Sequence, residues 1–110
     1  MIDLVATWQR RDFDGPYYAF AAHVEEGLVL GEQLHRGEME INGPDQALED
    51  VKEEARDAAA YAHYVALSAV GPMVRERAEG MIKQAASLWL VAADLQHMLR
   101  LRSTGEEVMS

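Results

Sequence analysis

Between residues 45 and 70 the chain places Leu48, Val51, Ala55, Ala58, Ala62, Val65 and Ala69 in an unbroken alternation of three- and four-residue steps. Such steps return to one face of an α-helix, whereas a strand returns to the same face every second residue. The middle of the stripe is all alanine, and side chains that small let a partner helix approach at the short end of the usual range of interaxial distances. A long helix with so narrow a seam must cover it with another helix, which commits the chain to helix-on-helix packing.

Two further stretches supply candidate partners. Residues 16–36 open on Pro16, which suits a first helical position, and close before Gly37; their apolar stripe reads Tyr17, Phe20, Val24, Leu28 and Leu34. Gly27 and Gly31 lie four apart on the same stripe, and two glycines cost helix propensity, so a closely approaching helix is expected there. The INGPDQ sequence reads as a turn into the alanine-seamed helix. Gly71-Pro72 ends that helix and starts a third, running to about Arg102 either as one rod or as a pair interrupted at Gly80. A short helix capped by Asp3 is expected over residues 3–11. No segment alternates as a strand does, so the expected class is all-α. The architecture is a small antiparallel bundle of three long helices and a short N-terminal one, in a single domain over 1–110, with residues 103–110 as a frayed tail.

From Ala85 to Leu101 the third helix is apolar around most of its circumference, more than a small three-helix domain would bury. Completion by a second copy, as a homodimer, is the expected use of that excess, with Trp89 as an interface anchor. The packing seam is expected to use Gly27, Gly31, Ala55, Ala58 and Ala62.

Nineteen acids against ten Lys and Arg give a formal net charge of −9, a field that repels phosphate backbones and anionic membrane surfaces. Direct nucleic-acid binding and membrane association are therefore not expected, and a protein partner with a basic surface is. With no cysteine, disulfides, thiol catalysis and thiolate metal sites are excluded. No run of about 18 apolar residues and no leader-like start are present, so the expected location is cytoplasmic.

The densest chemistry lies in EEARDAAAYAHY, residues 53–64. Glu49, Asp50, Glu53, Glu54 and Asp57 fall away from the alanine seam and form a candidate interaction face. Over residues 38–57, eight acids meet two bases. Glu54 and Asp57, one turn apart with Tyr61 beyond them, could hold a hard divalent cation through oxygen. The expected function is that of a small acidic interaction or accessory protein with no cofactor.

Two resemblances define alternatives. EARDAAAYAHYVAL resembles the second acidic motif of the MazG-like, all-α nucleoside triphosphate pyrophosphohydrolases. The resemblance, about fourteen residues long, implies Mg²⁺ held by Glu54 and Asp57 beside a substrate's phosphates, with Tyr61 lining the pocket. That family's first motif, an E-x-x-E pair on the preceding helix, is missing; Glu25 or Glu32 would have to replace it. RDAAAYAHY resembles the R-x(4–6)-H motif of HEPN-type ribonucleases, which implies a catalytic pair of Arg56 and His63 acting on RNA. Glu32-x-x-His35 and Asp94-x-x-His97 have the spacing of di-iron carboxylate units, but Asp94 and His97 fall on a polar face. His23, among Tyr17, Tyr18 and Phe20, is expected to be a partly buried structural histidine.

Overall fold

A computed structural model describes residues 3–8, 13–34, 37–68 and 71–103, with the backbone alone for 38–40 and 103. Among them are four helices and no strand: α1 (Leu4–Thr7), α2 (Pro16–Leu34), α3 (Glu38–Ser68) and α4 (Pro72–Ser103). The all-α class follows. The chain divides at Gly43 into two units, 1–43 and 44–110. No helix among the described residues is long and apolar enough to cross a membrane.

In the first unit, the Asp3 carboxylate accepts from the Ala6 backbone N–H at 3.0 Å, satisfying one of the donors that a helix start leaves unpaired. The helix is shorter than its pattern suggests: Trp8 is already extended, at φ −69° and ψ 126°. From there its ring stacks on Phe13, with centroids 5.6 Å apart, and its indole N–H donates to the Ala21 carbonyl of α2 at 3.0 Å. These tertiary contacts draw the chain out of the helix. Phe13 in turn meets Phe20 edge-on at 6.5 Å. Residues 9–11, expected to continue α1, lie outside the described residues.

On α2 the buried position is Ala21, with Val24, Leu28 and Gly31 half-buried. Tyr17, Phe20 and Leu34 of the expected stripe are exposed instead. Among the described residues nothing approaches Gly27 or Gly31, where an added Cβ would have no neighbour within 4 Å. His23 is a surface residue, its side chain 85% exposed and 3.8 Å from Glu26, rather than a half-buried one. Its three aromatic neighbours in sequence are themselves exposed and give it no cover.

Where the two units join, the INGPDQ stretch is less of a turn than expected, because Ile41 and Asn42 are already helical and only Gly43 departs, at φ 82° and ψ 172°. That left-handed φ suits a residue without a Cβ. Pro44 then begins the main rod of α3, where its missing N–H leaves nothing unsatisfied. α4 is one rod, and Gly80 sits inside it.

The core joining α3 to α4 is almost entirely alanine: Ala55, Ala62 and Ala66 on one helix, Ala78, Ala85 and Ala92 on the other. Ala55 and Ala62, and likewise Ala78, Ala85 and Ala92, are spaced by seven, the repeat that keeps two slightly supercoiled helices in continuous contact. The seam read from the sequence needs one correction. Ala58 is exposed, as is Val65, while Ala59 is half-buried and Ala66 buried. Steps of three and of four both fit a helical face, and the packing of α4 selects Ala59 and Ala66 over Ala58 and Val65, while Val51 and Lys52 are both half-buried. Ala69 lies outside the described residues, as do His35, Arg36 and the tail from residue 104.

Contacts between α3 and α4 run in reverse chain order. Asp45 meets Arg100, with the carboxylate 3.5 Å from the guanidinium, and Lys52 meets Trp89, its ammonium 4.8 Å from the ring centroid. Most large apolar side chains of α4 stay in the open; Leu88 is 50% and Leu90 59% exposed.

Candidate functional site

The outward flank of α3 carries the acids singled out above, because the seam fixes Ala55 and Ala62 inward and thereby turns the intervening polar positions out. Asp50, Glu53 and Glu54 are exposed, and Glu49 and Asp57 are half-buried. Both flanking cations are engaged within the unit. Arg56 donates from Nε and Nη2 to one oxygen of Asp57, each at 3.3 Å. Lys52 lies 3.6 Å from Glu49 and donates to the Gln96 side-chain carbonyl at 3.1 Å. Asp50 accepts from Gln46 at 3.1 Å. Glu53 and Glu54 have no ion-pair or hydrogen-bond partner among the described side chains.

One knot of polar groups was not visible in the sequence. Gln96, only 2% exposed, is the largest fully buried side chain. Its amide N–H₂ donates to Glu49 at 2.9 Å and to the Asp45 carbonyl at 3.2 Å, while its oxygen accepts from Lys52. Every buried side-chain polar atom among the described residues is satisfied. The hydrogen bond from Gln96, assisted by the Lys52 charge, holds the Glu49 carboxyl below its ordinary pKa range. The available signal was spacing: Gln96 follows Trp89 by seven residues, on the line that faces α3.

The other candidates separate. Tyr61 and Tyr64 are exposed, at 73% and 70%. Glu54 and Asp57 share α3, whereas Glu25 and Glu32 belong to the other unit. Among the described residues no group of three His, Asp or Glu side chains is arranged to hold a metal ion. Arg56 and His63 are both exposed on α3, with Arg56 turned to Asp57. Asp94 and His97 are exposed on α4. Trp89, 41% exposed, borders the seam beneath the Lys52 ammonium, a cation–π contact worth about 0.5–1 kcal/mol at a partly solvated site.

No family model, curated protein or solved structure matches this chain.

Proposed function

We propose that this protein is a small interaction or accessory module, an antiparallel helical bundle that binds a basic protein surface through Glu49, Asp50, Glu53, Glu54 and Asp57 of α3. One observation carries the reading: Glu53 and Glu54 stand exposed side by side while Lys52 and Arg56, the two bases among them, are held by Glu49, Gln96 and Asp57. The negative field of this flank is thus not neutralised from within. Carboxylates presented this way accept charge-assisted hydrogen bonds from Lys or Arg, and their field speeds encounter with a cationic partner.

The test uses the intact protein immobilised as bait in an extract of its native host. A partner bound through this face is released as salt shortens the screening length toward about 3 Å at 1 M, and the E53K/E54K double variant no longer retains it. Retention that is indifferent both to salt and to the charge reversal would overturn the proposal. So would release of pyrophosphate from nucleoside triphosphates with Mg²⁺ or Mn²⁺ that is lost in Asp57→Ala, since that result belongs to the MazG-like alternative.

A further inference from the structure

The α3–α4 pair is two-faced. Each helical residue advances roughly 100°, so Val51, Ala58 and Val65 lie between about 50° and 100° to one side of the α3 seam, and Met81, Leu88 and Leu95 lie at the same offset and in the same rotational sense from the α4 seam. Helices running in opposite directions bring such equal offsets out on the same side of the pair. All six are half-buried or exposed, with Val65, Met81, Leu88 and Leu95 between 42% and 55%. Asp45, Lys52 and Arg100, and the ion pair and polar knot they form, sit on the opposite side.

We infer that this apolar side is the contact surface for a second copy of the chain, forming a four-helix bundle in which α3 of each copy packs over α4 of the other. Three arguments select that occupant. First, the apolar line on α4 runs from Val74 to Leu95, about 32 Å at 1.5 Å per residue, longer than the roughly 28 Å spanned by the 19 residues of α2. Second, Val65, Met81, Leu88 and Leu95, with Val74, Val91 and Met98 beside them, each stand 42–55% exposed, an apolar patch on the order of several hundred Å² of the kind that marks a protein–protein contact. Third, the charges choose the arrangement. Residues 44–68 carry six acids against two bases, and α4 carries five bases against three acids, so α3 over α4 brings opposite charges together. Stacking α3 on α3 and α4 on α4 would oppose like charges.

The register follows from the contacts within one copy. Asp45 opposite Arg100 and Glu49 opposite Gln96 set the levels of the two helices. A two-fold axis along the helices keeps those levels, so Val51 meets Leu95, Ala58 meets Leu88, and Val65 meets Met81 of the other copy. These pairs repeat every seven residues, and the smallest side chain falls opposite a leucine. The surface is distinct from the centre of the acidic face: Glu53 and Asp57 point away from it and remain displayed on both copies, while Glu54, about 20° beyond Val65 around α3, lies along its rim.

The absence of native cysteines makes engineered thiols specific. Sedimentation of the full chain at micromolar concentration is expected to show a dimer, and Leu88→Glu a monomer with its helical circular dichroism retained. Oxidising an equimolar mixture of Val65→Cys and Met81→Cys chains should give a mixed disulfide-linked dimer that neither variant forms alone. A monomeric wild-type chain overturns the inference. So does efficient self-cross-linking of Leu88→Cys without the mixed product, which would place α4 against α4. Because cross-linking is read in chains with conservative substitutions, the result stands even if Leu88→Glu fails to fold.

Discussion

Residues 3–34 and residues 44–103 hold their helices by opposite means. Among the described residues, the first unit shows large, directional contacts: the ring pairs Trp8–Phe13 and Phe13–Phe20 and an indole N–H reaching a backbone carbonyl, beside the buried Ala21. The second uses many small identical ones, alanines at every seventh position, with one polar knot at Gln96. Rings fix a crossing at a point. Alanines fix the separation of two rods along their whole length but leave sliding by one repeat nearly free, because each alanine resembles the next. A buried amide that must find Glu49, Lys52 and the Asp45 carbonyl at once removes that freedom, the role best attested for isolated polar groups in helical interfaces.

The largest effect should come from filling the seam. Ala62, 2% exposed, has no room for three more carbons without forcing α3 and α4 apart. Ala62→Leu is therefore expected to destabilise the protein by about 1–3 kcal/mol, the usual cost of overpacking a tight contact, or more if the rods cannot separate locally. Ala60→Leu, on the exposed side of the same helix, should stay within about 0.5 kcal/mol of the parent. Thermal unfolding of the two variants measures the difference. Equal effects would mean that the alanines do not set the separation.

Next in size is the knot itself. Gln96→Leu keeps a similar volume but takes the amide acceptor from Lys52, leaving it Glu49 and Trp89, removes the principal donor to Glu49 and frees the Asp45 carbonyl, a loss expected to cost about 1–3 kcal/mol. The pH profile gives a second readout. The folded protein holds the Glu49 carboxyl below its ordinary pKa, so its contribution to stability is complete above the ordinary carboxylate range and is lost as pH falls through the lowered value. Gln96 is the leading cause of that lowering, and the substitution should make the acid limb of the stability curve shallower. An unchanged limb would show that other groups set the acid response.

The same contrast explains what the sequence could show. The helical class, the Pro16 and Pro72 starts and the outward direction of the acids were legible because each depends on local chemistry or on period alone. The seam was legible only to within one position: Ala55 and Ala62 face inward, but Ala58 and Val65 belong to the neighbouring apolar line, since the choice between a step of three and a step of four is made by the crossing helix. The early end of α1 at Thr7 and the burial of Gln96 depend on partners 13 and 44 to 51 residues away, beyond the reach of any local pattern. For the acidic face, period gave its direction, whereas the engagement of Lys52 depends on Gln96 of α4, 44 residues away.

The smallest predicted effect has its sign reversed, which makes it the sharpest probe of how the two units differ. Gly27 and Gly31 lie four apart on α2, as small residues do where helices crowd together, yet a Cβ at either would meet nothing within 4 Å and neither has a left-handed φ. If α2 relies on its aromatic contacts rather than on a close-packed seam, each glycine only weakens the helix, and Gly27→Ala and Gly31→Ala should each stabilise by up to about 1 kcal/mol, the propensity difference in a helix interior. That corresponds to a rise of roughly 4–8 °C in Tm for a domain of this size. A loss of stability at Gly31, the half-buried one of the pair, would instead reveal a helix lying against α2 in the assembled protein, and the first unit would then have a small-residue seam like that of the second.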